Sequence, residues 1–404
     1  MRKPLISILP SGKKKRTQHM RRQPRVYLSV SSEGYGHSSR AIAIANQFTP
    51  DEILIGTYSY ALERVKSLGY PCVPVPQEVK FFGDQGSFDV GKTILKNPTT
   101  PIILNQSVQD EMDLMEHFGI SLVVADGRIS PVLAAARLDL PCVVMTNQSA
   151  FYPFFERDSA LVKLLGLSFE WMMTYWLSSA EEILIPDFPP PYTVCLPNLS
   201  DQDLVKKRTR FVGPLVSWQA EDVAVLPALP LPQRRRIVAS LGGHSYRRPL
   251  FDAVLAVARQ FPDIRFEVLS TFEAVEPLPI NVKLHSRVLD CAPYFKSADL
   301  VITQAGHSTA MELLTLGKPS IVVPDCRQAE QENNAQRLAE LGVSCKLEYQ
   351  DLGVSSLADT IDQMLTHRSY RQQAEVLAAQ AQAIHGAAHT ATVLREYANR
   401  LLAY

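Results

Sequence analysis

Three glycine-rich turns, each carrying a histidine, hold most of the chemistry that these residue types can offer. The first reads Gly34-Tyr35-Gly36-His37-Ser38-Ser39-Arg40. Glycines let the backbone approach a ligand closely, and a helix N-terminus attracts anions through its unpaired N–H groups and its dipole. The pattern departs from the dinucleotide fingerprint: Ser39 stands at the third glycine position, and no acidic residue ends the next apolar run at Gly56-Thr57-Tyr58. His37 has two readings, a helix-start histidine bonding local backbone or a general base working near neutral pH. A base needs a partner to fix its tautomer and stabilise its charged form. Asp126, closing the apolar run Leu122–Ala125, is placed for that, or else caps the turn before Pro131.

The second turn is Gly242-Gly243-His244, again after an apolar run and before a helical one, with Arg247 and Arg248 close behind. It reads as a phosphate-approach loop or as a simple turn, its arginines reaching phosphate or solvent. The third turn is the most informative: Gln304-Ala305-Gly306-His307-Ser308-Thr309, followed by Glu312. Free backbone N–H groups at such a helix start suit a diphosphate. Glu312, expected in the first turn of that helix, can accept two ribose hydroxyls. Thr309-x-x-Glu312 is equally a capping box.

These turns need scaffolding, and the chain supplies an alternation of apolar strands and amphipathic helices. The first half offers strands at Val26–Ser31, Glu52–Gly56, Cys72–Val75, Ser121–Ala125 and Cys142–Met145. The second offers Ile237–Leu241, Arg265–Leu269, Val282–Leu284, Leu300–Thr303 and Ser320–Val323, with helices between, including one over Thr309–Leu316. Such alternation predicts parallel sheets covered on both faces. Proline-rich segments at 186–191 and 226–232 separate the two series. With 404 residues, two domains are expected. The divisions are a basic tail (1–24), an N-terminal domain (25–212), a linker (213–235), a C-terminal domain (236–385) and a last helical segment (386–404).

Charge is balanced, 41 basic against 41 acidic residues, but nine of the basic ones and no acidic ones lie in the first 25 residues. The remaining body is mildly acidic, which gives no reason to expect a nucleic-acid partner. No signal-peptide core is present, so the basic tail reads as a transit peptide, a weak lipid anchor or a start-site effect, with Met20 as an alternative start. No run of about 18 uncharged apolar residues exists to span a membrane. The six scattered cysteines form no CxxC pair and read as reduced thiols of a cytoplasmic protein. No His/Cys cluster has metal-ligand spacing, and Asp201-Gln202-Asp203 sits in a polar stretch as a solvated turn, so no metal site is expected.

The segment Gly306–Asn334 resembles the donor-binding region of the GT-B glycosyltransferases, the MurG-like and UDP-glycosyltransferase families in particular. The resemblance rests on Ala298-Asp299 through Gly306, Ser308-Thr309-x-x-Glu312, Gly317-Lys318-Pro319, Val323-Pro324 and Glu330-Gln331-x-x-Asn334-Ala335. Gly34–Arg40 is similar to the families' N-terminal glycine-rich loop, and Phe211-Val212-Gly213-Pro214 to their interdomain entry. The resemblance implies a GT-B fold, two Rossmann-like doubly wound domains facing across a cleft, the first (25–212) binding the acceptor and the second (236–385) the donor, with the last helix (386–404) crossing back to the first. It implies a UDP-sugar as co-substrate, no separate cofactor, and a small-molecule or lipid hydroxyl as acceptor, at or near the inner face of a membrane. Glu312 would hold the donor ribose. Gly306, Ser308 and Thr309 would line the diphosphate with Gln304 and His307 beside them, and Gly242, Gly243 and His244 would approach it from the neighbouring turn. Gln331 and Asn334 would meet the donor sugar or its phosphates, and backbone near Val288 the nucleobase. His37 would be the acceptor-activating base with Asp126 as its partner, and Gly34, Gly36 and Arg40 would form the acceptor-side loop. The reaction implied is an inverting, metal-independent transfer.

The aromatic stretch Phe151–Leu177 reads either as an ordinary buried helix or as an acceptor pocket or membrane-interface patch. Two other functions fit the same fold: a UDP-sugar 2-epimerase, and a non-catalytic sugar-nucleotide-binding partner protein.

Overall fold

The structure is a computed structural model. It describes residues 25–400 apart from 80–82, 85–86, 89–95, 97–99, 158, 231, 243–246, 287 and 289. The basic tail expected over 1–24, together with Gly243 and His244, lies outside the described residues.

The N-terminal sheet is built from β1 (Val26–Val30), β2 (Ile53–Thr57), β3 (Cys72–Pro74), β6 (Leu122–Asp126), β7 (Cys142–Met145), β8 (Glu182–Ile185) and β9 (Thr209–Phe211). A two-residue hairpin, β4 (Gly83–Asp84) and β5 (Ser87–Phe88), stands apart from it. Strand order is β3-β2-β1-β6-β7-β8-β9, and every pairing is parallel. Every residue of β1 and β6 is buried, as expected where helices cover both faces. The order reverses between β1 and β6, so the loops leaving their C-terminal ends open a crevice at that point. Helices α1 (Tyr35–Ala45), α2 (Ser59–Ser67), α3 (Thr100–Phe118), α4 (Ser130–Arg137), α5 (Ala160–Ser178) and α6 (Asp203–Lys206) follow the strands.

The C-terminal sheet repeats the plan with β10 (Arg235–Gly242), β11 (Ile264–Ser270), β12 (Val282–His285), β13 (Leu300–Thr303), β14 (Ser320–Val322) and β15 (Ser344–Lys346). Its order, β12-β11-β10-β13-β14-β15, is also parallel throughout and places a second switch point between β10 and β13. Its helices are α7 (Arg248–Ala258), α8 (Ala292–Ser297), α9 (His307–Thr315), α10 (Ala329–Glu340), α11 (Val354–Thr366) and α12 (Arg368–Ile384). The chain ends in α13 (Gly386–Arg400), whose Val393, Leu394, Tyr397 and Ala398 enter the N-terminal core beside Val26, Leu28 and Leu184. The last helix thus ties the end of the chain back to the N-terminal sheet.

Contact between the halves is built in a second place. After β8 the chain runs into the proline-rich loop, and Phe188 and Val194 there pack against Ala305, Met311 and Leu314 of the other half. Arg337 of α10 donates to the carbonyls of Pro191 (2.6 Å) and Thr193 (3.2 Å) in that loop.

Candidate functional site

The two switch points place their loops against each other. Helix α1 begins at Tyr35, with Gly34 as its N-cap at φ 87°. That puts His37 in the first turn, one residue from where the facing helix touches. A Cβ on Gly36 would lie 2.4 Å from the Ser308 Oγ of α9, so the two helix starts meet.

His37 is 26% exposed on its side chain, and its Nδ1 lies 2.7 Å from Asp126 Oδ1 at the end of β6. The Arg40 Nη2 also stands 2.8 Å from that nitrogen. Arg40 grips Asp126 twice, through Nε to Oδ2 (3.1 Å) and Nη2 to Oδ1 (2.7 Å). Burial pushes the Asp126 carboxyl up, but Arg40 and His37 outweigh it and hold it at about 2. An ionised carboxylate at Nδ1 calls for a proton on that atom, leaving the Nε2 lone pair free to take one. Gly127, at φ 69°, makes room for the ring: a Cβ there would sit 2.8 Å from His37 Cε1.

On the other side, α9 starts at His307 with Gly306 as N-cap and no side-chain cap. The N–H groups of His307, Ser308 and Thr309 therefore have no intrahelical acceptor. A Cβ on Gly306 would meet nothing within 4 Å, so open space lies in front of this helix start. Two expectations are corrected here. The helix begins two residues before Thr309, so Thr309 is not its N-cap and the Thr309-x-x-Glu312 capping box does not form. Glu312 falls in the second turn, not the first. Burial and nearby Asp290 push its carboxyl up to about 7, with Arg64 pulling the other way. That arginine comes from α2 of the opposite half, where it donates to Ser38 and Ser39.

The remaining residues divide into those facing the crevice and those bracing it. His307 is buried, its Nε2 3.0 Å from Asp187 Oδ2. Asp187, Cys195 and His307 lie close enough to suggest a metal cluster. Asp187 already accepts from the backbone N–H groups of Phe188, Val194 and Cys195, so its oxygens face hydrogens and the set is a structural knot. Gln304 is buried and donates to the Leu241 carbonyl (3.2 Å), pinning β13 to β10. Gly242 has φ 64°, and a Cβ on it would sit 2.9 Å from Arg247 Nη1. Val288 is half-buried against the apolar cluster that includes Val238, Leu269 and Phe295.

Gln331 and Asn334 were expected at the donor sugar, yet both have their amides engaged by protein. Gln331 accepts from Asp325 N (3.0 Å) and donates to Asp325 Oδ2 (3.2 Å), while Arg247 pairs with the same carboxylate (2.5 Å). Asn334 is fully buried, donates to the Ala305 carbonyl (3.1 Å) and accepts from Asn198 (2.9 Å). It thus holds Ala305, whose φ of 62° is strained for a residue with a Cβ, just ahead of Gly306. Asp201 and Asp203 pair with Lys206 and Lys207 on the surface.

Comparison with known proteins now decides the family. Residues 242–390 match the glycosyltransferase family 28 C-terminal domain. An uncharacterized glycosyltransferase of Methanosarcina mazei is 32% identical over 363 residues, covering 87% of this chain and 93% of its own. The chain belongs to this glycosyltransferase family. A second relative of this glycosyltransferase, from Bacillus thuringiensis, is UDP-N-acetylglucosamine–N-acetylmuramyl-(pentapeptide) pyrophosphoryl-undecaprenol N-acetylglucosamine transferase 2, at 27% identity over 77% of this chain and 82% of its own. Among solved structures, the kitacinnamycin glycotransferase superposes with a TM-score of 0.69 over 93% of this chain and 99% of its own, at 16% identity, a likeness of fold.

Sequence reasoning gave no role to Asn147 or Asp187, and quoted Glu330 only within the donor-region resemblance. Asn147 follows β7 and, like Asp126, leaves the sheet near its switch point, which is the signal that would have singled it out.

Proposed function

We propose that this glycosyltransferase takes its sugar from a UDP-sugar and passes it, with inversion and without a metal, to a lipid-linked hydroxyl at the cytoplasmic face of a membrane. The observation that carries the reading is the opposition of two groups: the His37–Asp126 pair (2.7 Å) and the uncapped N-terminus of α9, which meet at Gly36 and Ser308. His37 Nε2 removes the acceptor proton as the acceptor oxygen attacks the anomeric carbon. The bond from that carbon to the diphosphate breaks in the same step, so the centre inverts. Asp126 stabilises the imidazolium that forms. The N–H groups of His307, Ser308 and Thr309 and the helix dipole receive the leaving diphosphate, which gives that charge a counterpart with no metal. Glu312 accepts the ribose hydroxyls.

The Bacillus relative's name carries both a UDP-sugar and an undecaprenol-linked acceptor. A lipid acceptor also suits α5, which keeps Phe169 against Phe151 and Phe155 but exposes Leu161, Leu164, Leu165, Leu167, Trp171 and Tyr175. Among the described residues no helix is long and apolar enough to cross a membrane.

The test is nucleotide release from UDP-N-acetylglucosamine, UDP-glucose, UDP-galactose and TDP-glucose, with and without a lipid extract and with EDTA. The reading predicts lipid-stimulated UDP release that survives EDTA, and a product of opposite anomeric configuration. Retention of configuration, or abolition by EDTA restored by a divalent cation, would contradict it.

A further inference from the structure

The contacts of Asp126 continue beyond His37. Arg40 donates through Nη1 to Asn147 Oδ1 (2.9 Å), and Asn147 donates through Nδ2 to Glu330 Oε1 (2.8 Å). The same Glu330 oxygen accepts from Asn334 Nδ2 (3.3 Å), which also holds the Ala305 carbonyl. Arg40, Asp126, Asn147 and Asn334 are all buried. The polarity is forced along the whole chain. A guanidinium has only donors, so Asn147 turns its oxygen to Arg40 and its NH2 to the carboxylate. Arg40 and Asn147 belong to the N-terminal half, whereas Glu330, Asn334 and Ala305 belong to the half that carries α9.

His37 Nδ1 has two suitors, an acceptor on Asp126 (2.7 Å) and a donor on Arg40 (2.8 Å). If Asp126 prevails, Nδ1 carries the proton and Nε2 is a free base. If Arg40 prevails, Nδ1 accepts and the proton moves to Nε2, which can no longer take one from an acceptor. Asn147 holds the far nitrogen of the guanidinium and so keeps it on Asp126.

We propose that Asn147 and Glu330 are positioning residues that select the reactive tautomer of His37 only while the two halves are closed on each other at the start of α9. Opening the cleft separates Glu330 from Asn147, frees the Asn147 amide, and lets Arg40 Nη2, which already stands 2.8 Å from Nδ1, give up Asp126 for that nitrogen. The base is then armed only while the two halves stay in contact at the start of α9, as the Asn147–Glu330 bond has them here. The proposal rests on the reading of His37 as the base.

The test begins without ligands. The nitrogen shifts of the His37 imidazole, assigned with the His37→Ala variant, report tautomer populations at pH 8. Wild type should show the Nδ1–H form. Asn147→Ala and Glu330→Ala should each shift the population toward Nε2–H, and the double variant should go no further than Asn147→Ala alone. Glu330→Gln, which keeps an accepting oxygen, should restore the wild-type spectrum. Transfer from UDP-N-acetylglucosamine should lose about 10- to 100-fold in kcat in Asn147→Ala, with donor KM little changed. In a His37→Ala background the same substitution should cost nothing more. An unchanged tautomer in Asn147→Ala would overturn the proposal, as would an Asn147→Ala loss that persists without His37. If instead His37→Ala retains full transfer, the base reading fails while the measured tautomer coupling stands on its own.

Discussion

His37, in the first turn of α1, and Asp126, the last residue of β6, are 89 residues apart and meet at 2.7 Å because α1 follows β1 and β1 and β6 flank one switch point. This much was legible, since a glycine-rich turn after one buried strand and an aspartate ending another can only converge in a parallel sheet. The support behind them was not. Arg40 binds Asp126 and Asn147, and Asn147 reaches Glu330, 183 residues on; such partners have no signature in local spacing. Glu312 belongs to this scale as well. Its carboxyl sits at about 7 in the fold against 4.5 ordinarily, so its contribution to stability is complete below that ordinary value and is lost as pH rises through about 7. Glu312→Gln should therefore melt higher than wild type at pH 8 and show no gain at pH 4. The same substitution should weaken UDP binding by about 10- to 100-fold through loss of a charged acceptor at the ribose, measurable by titration calorimetry.

Among the elements, the helix starts carry the function, and they are where local patterns were least informative. Apolar periodicity marks the body of a helix and says little about its first turn. Helix α9 begins two residues before its expected start at Thr309, and both α1 and α9 have glycine N-caps and no capping side chain. Their unpaired N–H groups are what a site for anions requires. Gly36→Ala should push the two starts apart, because the new methyl would press on both Oγ and Cβ of Ser308. We expect a loss of about tenfold or more in kcat/KM, partly recovered by adding Ser308→Gly. Helix α5 was read as either buried or interfacial; one face packs on Phe151 and Phe155 and the other is exposed. Replacing Leu164 and Trp171 by Glu should reduce transfer to a lipid-linked acceptor and leave UDP binding unchanged.

For the molecule as a whole, the two alternating series announced two parallel sheets, and the likeness to GT-B structures agrees. What the alternation could not announce is the fastening between the halves. Asp187 and the proline-rich loop lock under α9, and α13 returns to the N-terminal core. The start of α13 is tight: a Cβ on Gly386 would lie 2.3 Å from the Pro214 carbonyl, which is backbone and cannot turn aside. Gly386→Ala should cost about 1–3 kcal/mol of stability in denaturant unfolding, as overpacking does.

The central claim is that His37 performs the chemistry on a donor bound at the opposite helix start. Comparing His37→Ala with wild type in one assay tests it most directly, by following sugar transfer from the preferred UDP-sugar alongside the Kd for UDP. The account predicts transfer reduced by about 10²- to 10⁴-fold with UDP affinity unchanged. Transfer at the wild-type rate in His37→Ala would contradict it.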